Sequence, residues 1–190
     1  MRLAEGIRQV AGGEIYVIDT EGGRANHYAE LFRFQYVPMT APFGPLDYLD
    51  AIEYCVKQGA TTIIIDSMTH EHSGEGGVMD QSEKFLDKKC GDDTLAREKN
   101  LMSSFVRPKK ERNQLESRIV QLPVNLILCY RASDKVKPVK GQGIQHIGWQ
   151  PQTTSDLFYD MTARFLLEPG SDGKPTLNPE TMAEKLLTKS

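Results

Sequence analysis

"TTIIIDSMTH", residues 61 to 70, decides how this chain is read. Five residues with strand preference, Thr61 to Ile65, run straight into Asp66 and Ser67. The run is apolar throughout instead of alternating, as expected of a strand covered on both faces of a parallel sheet. Two other segments have the same form. Ile15 to Ile18 runs into Asp19-Thr20-Glu21-Gly22-Gly23, and "VNLILCYRASDK", residues 124 to 135, passes from an apolar run to Arg131 and Lys135.

Helical patterns separate these strands. "RLAEGIRQVA" (2–11) puts Leu3, Ile7 and Val10 on one face and stops at Gly12-Gly13. "LDYLDAIEYCVKQG" (46–59) offers Leu46, Leu49, Ile52, Tyr54 and Val56, with Gly59 as its stop. "FVRPKKERNQLESRIVQL" (105–122) carries Pro108 in its first turn, where the missing N–H costs nothing, and Pro123 ends it. "NHYAELFRF" also reads as helix. "QYVPMTAPFGP" reads as a loop, "HEHSGEGGVMDQSEKF" as a glycine-rich loop entering a helix, and "KKCGDDTLAREKN" as polar and exposed. "VKPVKGQGIQHIGWQPQ" reads as a basic loop and "FYDMTARFLLEPG" as a strand, with a final helix starting at Asn178 and Pro179. Helix, strand, helix, strand is the order of an α/β fold, a three-layer parallel sheet with crossover helices. Residues 1–190 are expected to form one domain.

The composition limits the function classes. A formal net charge of −3 means that any contact with nucleic acid must come from a local patch. The three cysteines, Cys55, Cys90 and Cys129, are widely spaced and form no CxxC, so reduced thiols and a cytoplasmic setting are expected. No stretch reaches the length of a membrane span, so no membrane partner is expected.

In parallel sheets ligands bind beyond the carboxyl ends of the strands. Those ends carry Asp19, Glu21, Asp66, Ser67, Arg131 and Lys135. An apolar strand ending in Asp66 matches a Walker B element, in which one rigid carboxylate holds a magnesium ion that keeps most of its waters. A strand ending on aspartate is also a common turn. Glu21 can orient or polarise an attacking water, or it can be a charged strand exit. Arg131 and Lys135 can neutralise phosphate, or they can be solvated. "HEHSGEGG" offers His70, Glu71 and His72, either to a metal or as a segment near a bound phosphate or a neighbouring subunit.

"IYVIDTEGG", "TTIIIDSMTHEHSGEGGVMD", "FVRPKKERNQLESRIVQLPVNLILCYRASDKVKP" and "GWQPQTTSDLFYDMTARFLLEP", in that order, resemble the RecA-like P-loop ATPases of bacteriophages and prophages, a subgroup of the AAA-domain proteins. The resemblance covers residues 1 to about 178. It implies ATP and Mg2+ as cofactors, with Asp66 as the Walker B aspartate, Glu21 as the water-activating carboxylate and Tyr130-Arg131 as the end of the sensor strand. It also implies ATP hydrolysis in DNA recombination, annealing or repair, phage recombination or replication proteins as partners, and a homo-oligomer for the full-length form. The setting it implies is the cytoplasm of a bacterial host.

One family element is missing from the 190 residues. No GxxxxGK[ST] occurs, and "GSDGKPT" has the wrong spacing, with Pro175 opposing a helix start. Residues 2–11 are expected to be the back half of the helix that such a loop opens. The core is then N-terminally truncated, with its first strand and phosphate cradle upstream of Met1. Without that cradle the chain as given is expected to bind ATP poorly and hydrolyse it barely. Lys135, Lys137, Lys140 and Trp149 lie where RecA-like proteins place loops for single-stranded DNA, and Arg107, Lys109, Lys110 and Arg112 form a second basic cluster. Two alternatives stand beside the ATPase. One is a non-catalytic nucleic-acid-binding or oligomerising remnant of the fold. The other is a metal-dependent phosphodiesterase built on Asp19, Glu21 and Asp66.

Overall fold

The computed structural model describes residues 1–139, 143–153 and 160–175. By its contacts the chain divides into two units: Met1–Arg131 with Pro151–Thr153, and Ala132–Gln150 with Thr154–Ser190.

The first unit is an α/β structure around a four-stranded parallel sheet. Its strands are β1 (Glu14–Asp19), β2 (Gln35–Pro38), β3 (Ala60–Asp66) and β4 (Asn125–Cys129), in the order β2-β1-β3-β4. Ile15 pairs with Thr62, Val17 with Ile64, and Asp19 with Asp66. On the far side of β3, Ile64 pairs with Ile127 and Asp66 with Cys129. Residues paired side by side share a face of the sheet, so one face carries Val17, Ile64 and Ile127 and ends in Asp19, Asp66 and Cys129.

Helix α1 (Arg2–Ala11) covers that face. Ala4, fully buried, packs with Ile15, Val17, Ala25 and Ile64, and Met1, Phe34, Ile127 and Cys129 close the edges of the cluster. The helix turns a different side inward from the one its apolar residues suggest. Leu3 is 47% exposed and Val10 92%, while the methyl-sized Ala4 lets the backbone approach the strands. At the end of the helix Gly13 (φ +86°) passes so close to Thr61 that a Cβ would sit 2.2 Å from its Oγ1; only glycine fits.

The opposite face, with Ile18, Ile63 and Ile65, is covered by α2 (Pro45–Lys57), whose inward residues are Tyr48, Leu49, Ile52 and Cys55. Each fully buried isoleucine contributes roughly 1.5–3 kcal/mol. Tyr54, expected inside, is 52% exposed; Tyr48 and Cys55 hold the inner positions. Asp47 accepts from the Gly44 amide (2.9 Å) at the start of α2. Helix α6 (Val106–Ile119) packs on α2 through buried Leu115 and Ile119, and Arg118 reaches Glu53 at 2.8 Å. Beyond it lie α3 (His70–Ser73), α4 (Val78–Cys90) and α5 (Thr94–Ser104).

Several expectations give way. "QYVPMTAPFGP" contains strand β2, and the segment read as helix forms a 3-10 turn at Arg24–Tyr28 with no α-helix after it. The stretch "KKCGDDTLAREKN" is mostly exposed, as expected, and its second half opens helix α5. In the second unit the basic loop is a two-stranded sheet, β5 (Ala132–Val139) with β6 (Gly143–Pro151). Within 160–175 the segment read as a strand makes only an isolated bridge at Leu166. The helix expected from Asn178 lies outside the described residues.

Candidate functional site at the carboxyl edge of the sheet

Because β1 and β3 are adjacent and parallel, they end at the same edge. Thr20 N–H donates to the Asp66 carbonyl (2.9 Å) and Met68 N–H to the Cys129 carbonyl (2.8 Å), so the ladder continues past the last paired residues. The Ser67 amide donates to Thr20 Oγ1 (2.7 Å), and the Thr20 and Tyr48 hydroxyls both donate to the Ser67 carbonyl (3.0 and 2.8 Å). The Asp66-Ser67 peptide is cis. Ser67 itself is 2% exposed, and its hydroxyl accepts from Thr69 N–H, so it shapes the turn after β3 and does not face outward.

Glu21 stands at the centre of the edge. Arg131 Nη2 donates to its Oε1 at 2.5 Å, and Arg24 lies 3.8 Å from its Oε2. His70 Nε2 is 3.8 Å from Oε1, with Nδ1 held 2.9 Å from Thr20 Oγ1 and its ring against Phe43. The Arg131 amide donates to Thr69 Oγ1 (2.8 Å), so the turn after β3 also fixes the exit of β4. Glu21, Asp66 and Arg131 are thereby brought to one edge.

The two strand-end aspartates differ. Asp19 is 2% exposed and accepts from the Glu21 amide (2.7 Å) and the Ala25 amide (2.9 Å), one on each oxygen. Among the described residues no backbone amide donates to the Asp66 carboxylate. Burial pushes its carboxyl above the ordinary value, and the Glu21 and Asp19 charges push it further, against Arg24 and Arg131. Arg24 and Arg131 offset only part of the burial and of the two neighbouring negative charges, a setting that a divalent cation would relieve. No group of three His, Cys, Asp or Glu among the described residues could enclose a metal. A cation bound at this edge would have Asp66 as its one protein carboxylate and would draw its other oxygens from water and a phosphate ligand.

Behind this edge lies a buried polar knot absent from the sequence reading. Arg112 of α6 donates to both oxygens of Glu71 (2.9 and 2.6 Å) and lies 3.2 Å from His72 Nδ1. Burial pushes Glu71 upward more than Arg112 pulls it down, and burial with the Arg112 charge lowers His72. Arg112, first placed in a basic surface cluster, is 7% exposed and holds α3 to α6. Glu71 and His72 are drawn into that knot, so of the "HEH" triplet only His70 reaches the carboxylate edge.

The remaining candidates belong to the second unit. Lys135 lies exposed on β5 and Trp149, 37% exposed, on β6. The side chain of Lys137 and the whole of Lys140 lie outside the described residues. The cysteines are free; burial raises Cys55 and Cys129 to about 11, which keeps both as unreactive thiols. No helix among the described residues is long and apolar enough to cross a membrane. The chain matches no protein-family model, no curated protein and no solved structure.

Proposed function

We propose that this chain is the nucleotide-hydrolysing core of a RecA-like P-loop ATPase that acts on DNA in recombination, annealing or repair, using ATP and Mg2+. The observation that carries the reading is the meeting of Glu21, Asp66 and Arg131 at the carboxyl edge of adjacent parallel strands. In addition, α1 begins beside the same edge, with Met1 packed in the cluster that includes Cys129. The positive end of a helix there favours an anionic ligand.

The division of labour follows from the contacts. Asp66 would hold Mg2+ through a single rigid carboxylate. The ion would supply charge neutralisation on the phosphate oxygens. Glu21 is the acceptor for a proton from water. Arg131 donates to its Oε1, so that oxygen is already engaged by a guanidinium. A phosphate group competes for the same guanidinium, since both are bidentate oxygen acceptors. When Arg131 turns to phosphate, Glu21 is freed and can take the proton. Asp19, with both oxygens occupied by amides, is not available to a three-carboxylate metal cluster, and this weighs against the phosphodiesterase alternative.

The test is Mg2+-dependent ATP hydrolysis, measured on the chain together with whatever residues its gene places before Met1. Glu21→Gln is expected to lower kcat by about 10²-fold or more, the usual contribution of a positioned base, with KM little changed. Asp66→Ala is expected to abolish the metal dependence. Hydrolysis unaffected by either change would refute the proposal.

A further inference from the structure

Helix α5 is built with its polarity reversed. Its contacts with the rest of the fold are polar. Arg97 reaches Asp87 (2.7 Å), the Gly91 carbonyl (3.0 Å) and Glu83 on α4, and buried Ser104 shares a hydrogen bond with Ser82 (2.6 Å). Its most exposed apolar residues face away: Leu95 is 68% exposed and Met102 82%, and Val106, just beyond the helix, 67%. Glu98 and Lys99 lie between them, both exposed and neither in an ion pair among the described residues. Positions 95, 98, 99 and 102 have the spacing i, i+3, i+4, i+7, so all four occupy one outward stripe. Leu95 and Met102 thus flank a pair of opposite charges on one exposed helix face.

The order of charges along the stripe selects the occupant. Read from either end it is apolar, charged, charged, apolar, and the two charges have opposite sign. Rotation by 180° about an axis between Glu98 and Lys99 places Leu95 against Met102 of a second copy and Glu98 against its Lys99, twice over. Two antiparallel α5 helices thus present self-complementary faces, as a twofold interface requires. A parallel arrangement in register would set Glu98 on Glu98 and Lys99 on Lys99.

We propose that the α5 face is a homodimer interface in which Leu95, Glu98, Lys99 and Met102 pair antiparallel with the same residues of a second copy. The inference does not depend on the nucleotide reading. One short helix face is at the small end of specific interfaces, so the dimer is weak, with a dissociation constant in the range of about 10⁻⁵ to 10⁻⁴ M.

Sedimentation velocity over about 10 µM to 1 mM protein tests it. The wild-type chain is expected to pass from monomer to dimer across that range. Glu98→Lys and Lys99→Glu, taken singly, each turn two attractions into repulsions and are expected to weaken association about tenfold. The double exchange Glu98→Lys/Lys99→Glu restores opposite signs across the axis and is expected to return within about twofold of wild type. Met102→Glu is expected to leave only monomer. All four positions are exposed, and circular dichroism will show each variant folded. A wild-type chain that stays monomeric throughout would overturn the proposal. So would association indifferent to the single exchanges, or a double exchange no better than either single one.

Discussion

Asp19 and Asp66 end neighbouring strands and pair directly in register, yet they do opposite things. The turn Glu21–Ala25 folds back so that two amides close on Asp19, and each oxygen is used in building the loop that carries Glu21. The turn after Asp66 instead satisfies its own backbone through the Thr20 and Tyr48 hydroxyls and leaves the carboxylate in a half-buried setting where Glu21, Asp19 and burial outweigh Arg24 and Arg131. A carboxylate whose acceptors are filled by the fold contributes to stability, and one left unfilled at a desolvated edge costs stability.

Variants should separate the two kinds, with the most deeply enclosed charge giving the largest effect. Arg112→Ala leaves Glu71 buried without its bidentate partner and should lower stability by about 3–5 kcal/mol in urea unfolding. Asp19→Ala orphans two amides and should cost about 3 kcal/mol, since hydrogen bonds to charged groups are worth roughly 1.5–3 kcal/mol each. Asp66→Asn in the same assay should cost nothing and raise the melting temperature at neutral pH. Equal losses at positions 19 and 66 would erase the distinction.

The pH dependence sharpens it. A carboxyl raised on folding binds its proton more tightly in the native state, so its ionisation removes stability. The Asp66→Asn protein and wild type should therefore melt together at pH values below the ordinary carboxylate range. The variant should gain its advantage as pH rises from the unfolded-state value through the raised native one. Melting curves at a series of pH values check this, and an advantage that shrinks with rising pH would have the wrong sign. The smallest effect concerns Thr62, whose buried hydroxyl has no hydrogen-bond partner among the described residues. Thr62→Val should stabilise by about 1 kcal/mol.

The parts legible in the sequence were those with strong hydrophobic pattern. Ile63 to Ile65, Val17 and Ile18, and Leu126 to Leu128 are apolar runs with polar exits, and their order alone places Asp66 and Glu21 at one edge. Strand β2 escaped because it is a mostly exposed edge strand with no buried pattern, ended by Pro38. Helix α5 escaped because its apolar residues lie outside, so its periodicity points away from the core. Arg112 was legible as a basic residue but not as a buried one; its partner Glu71 lies 41 residues away, beyond any local pattern. Thr20 and Thr69 hold the site through single hydroxyl contacts that no spacing rule marks.

The central claim is that Asp66 and Glu21 face one ligand-binding edge closed by Arg131. Paramagnetic broadening by Mn2+ with ATP, read residue by residue in 1H–15N spectra, tests it most directly and works even for weak binding. The amides of residues 20–22, 66–70 and 131 should broaden first, and Asp66→Asn should remove the effect while Asp93→Asn, at the distant cap of α5, leaves it unchanged. Broadening centred elsewhere, or surviving Asp66→Asn, would contradict the account.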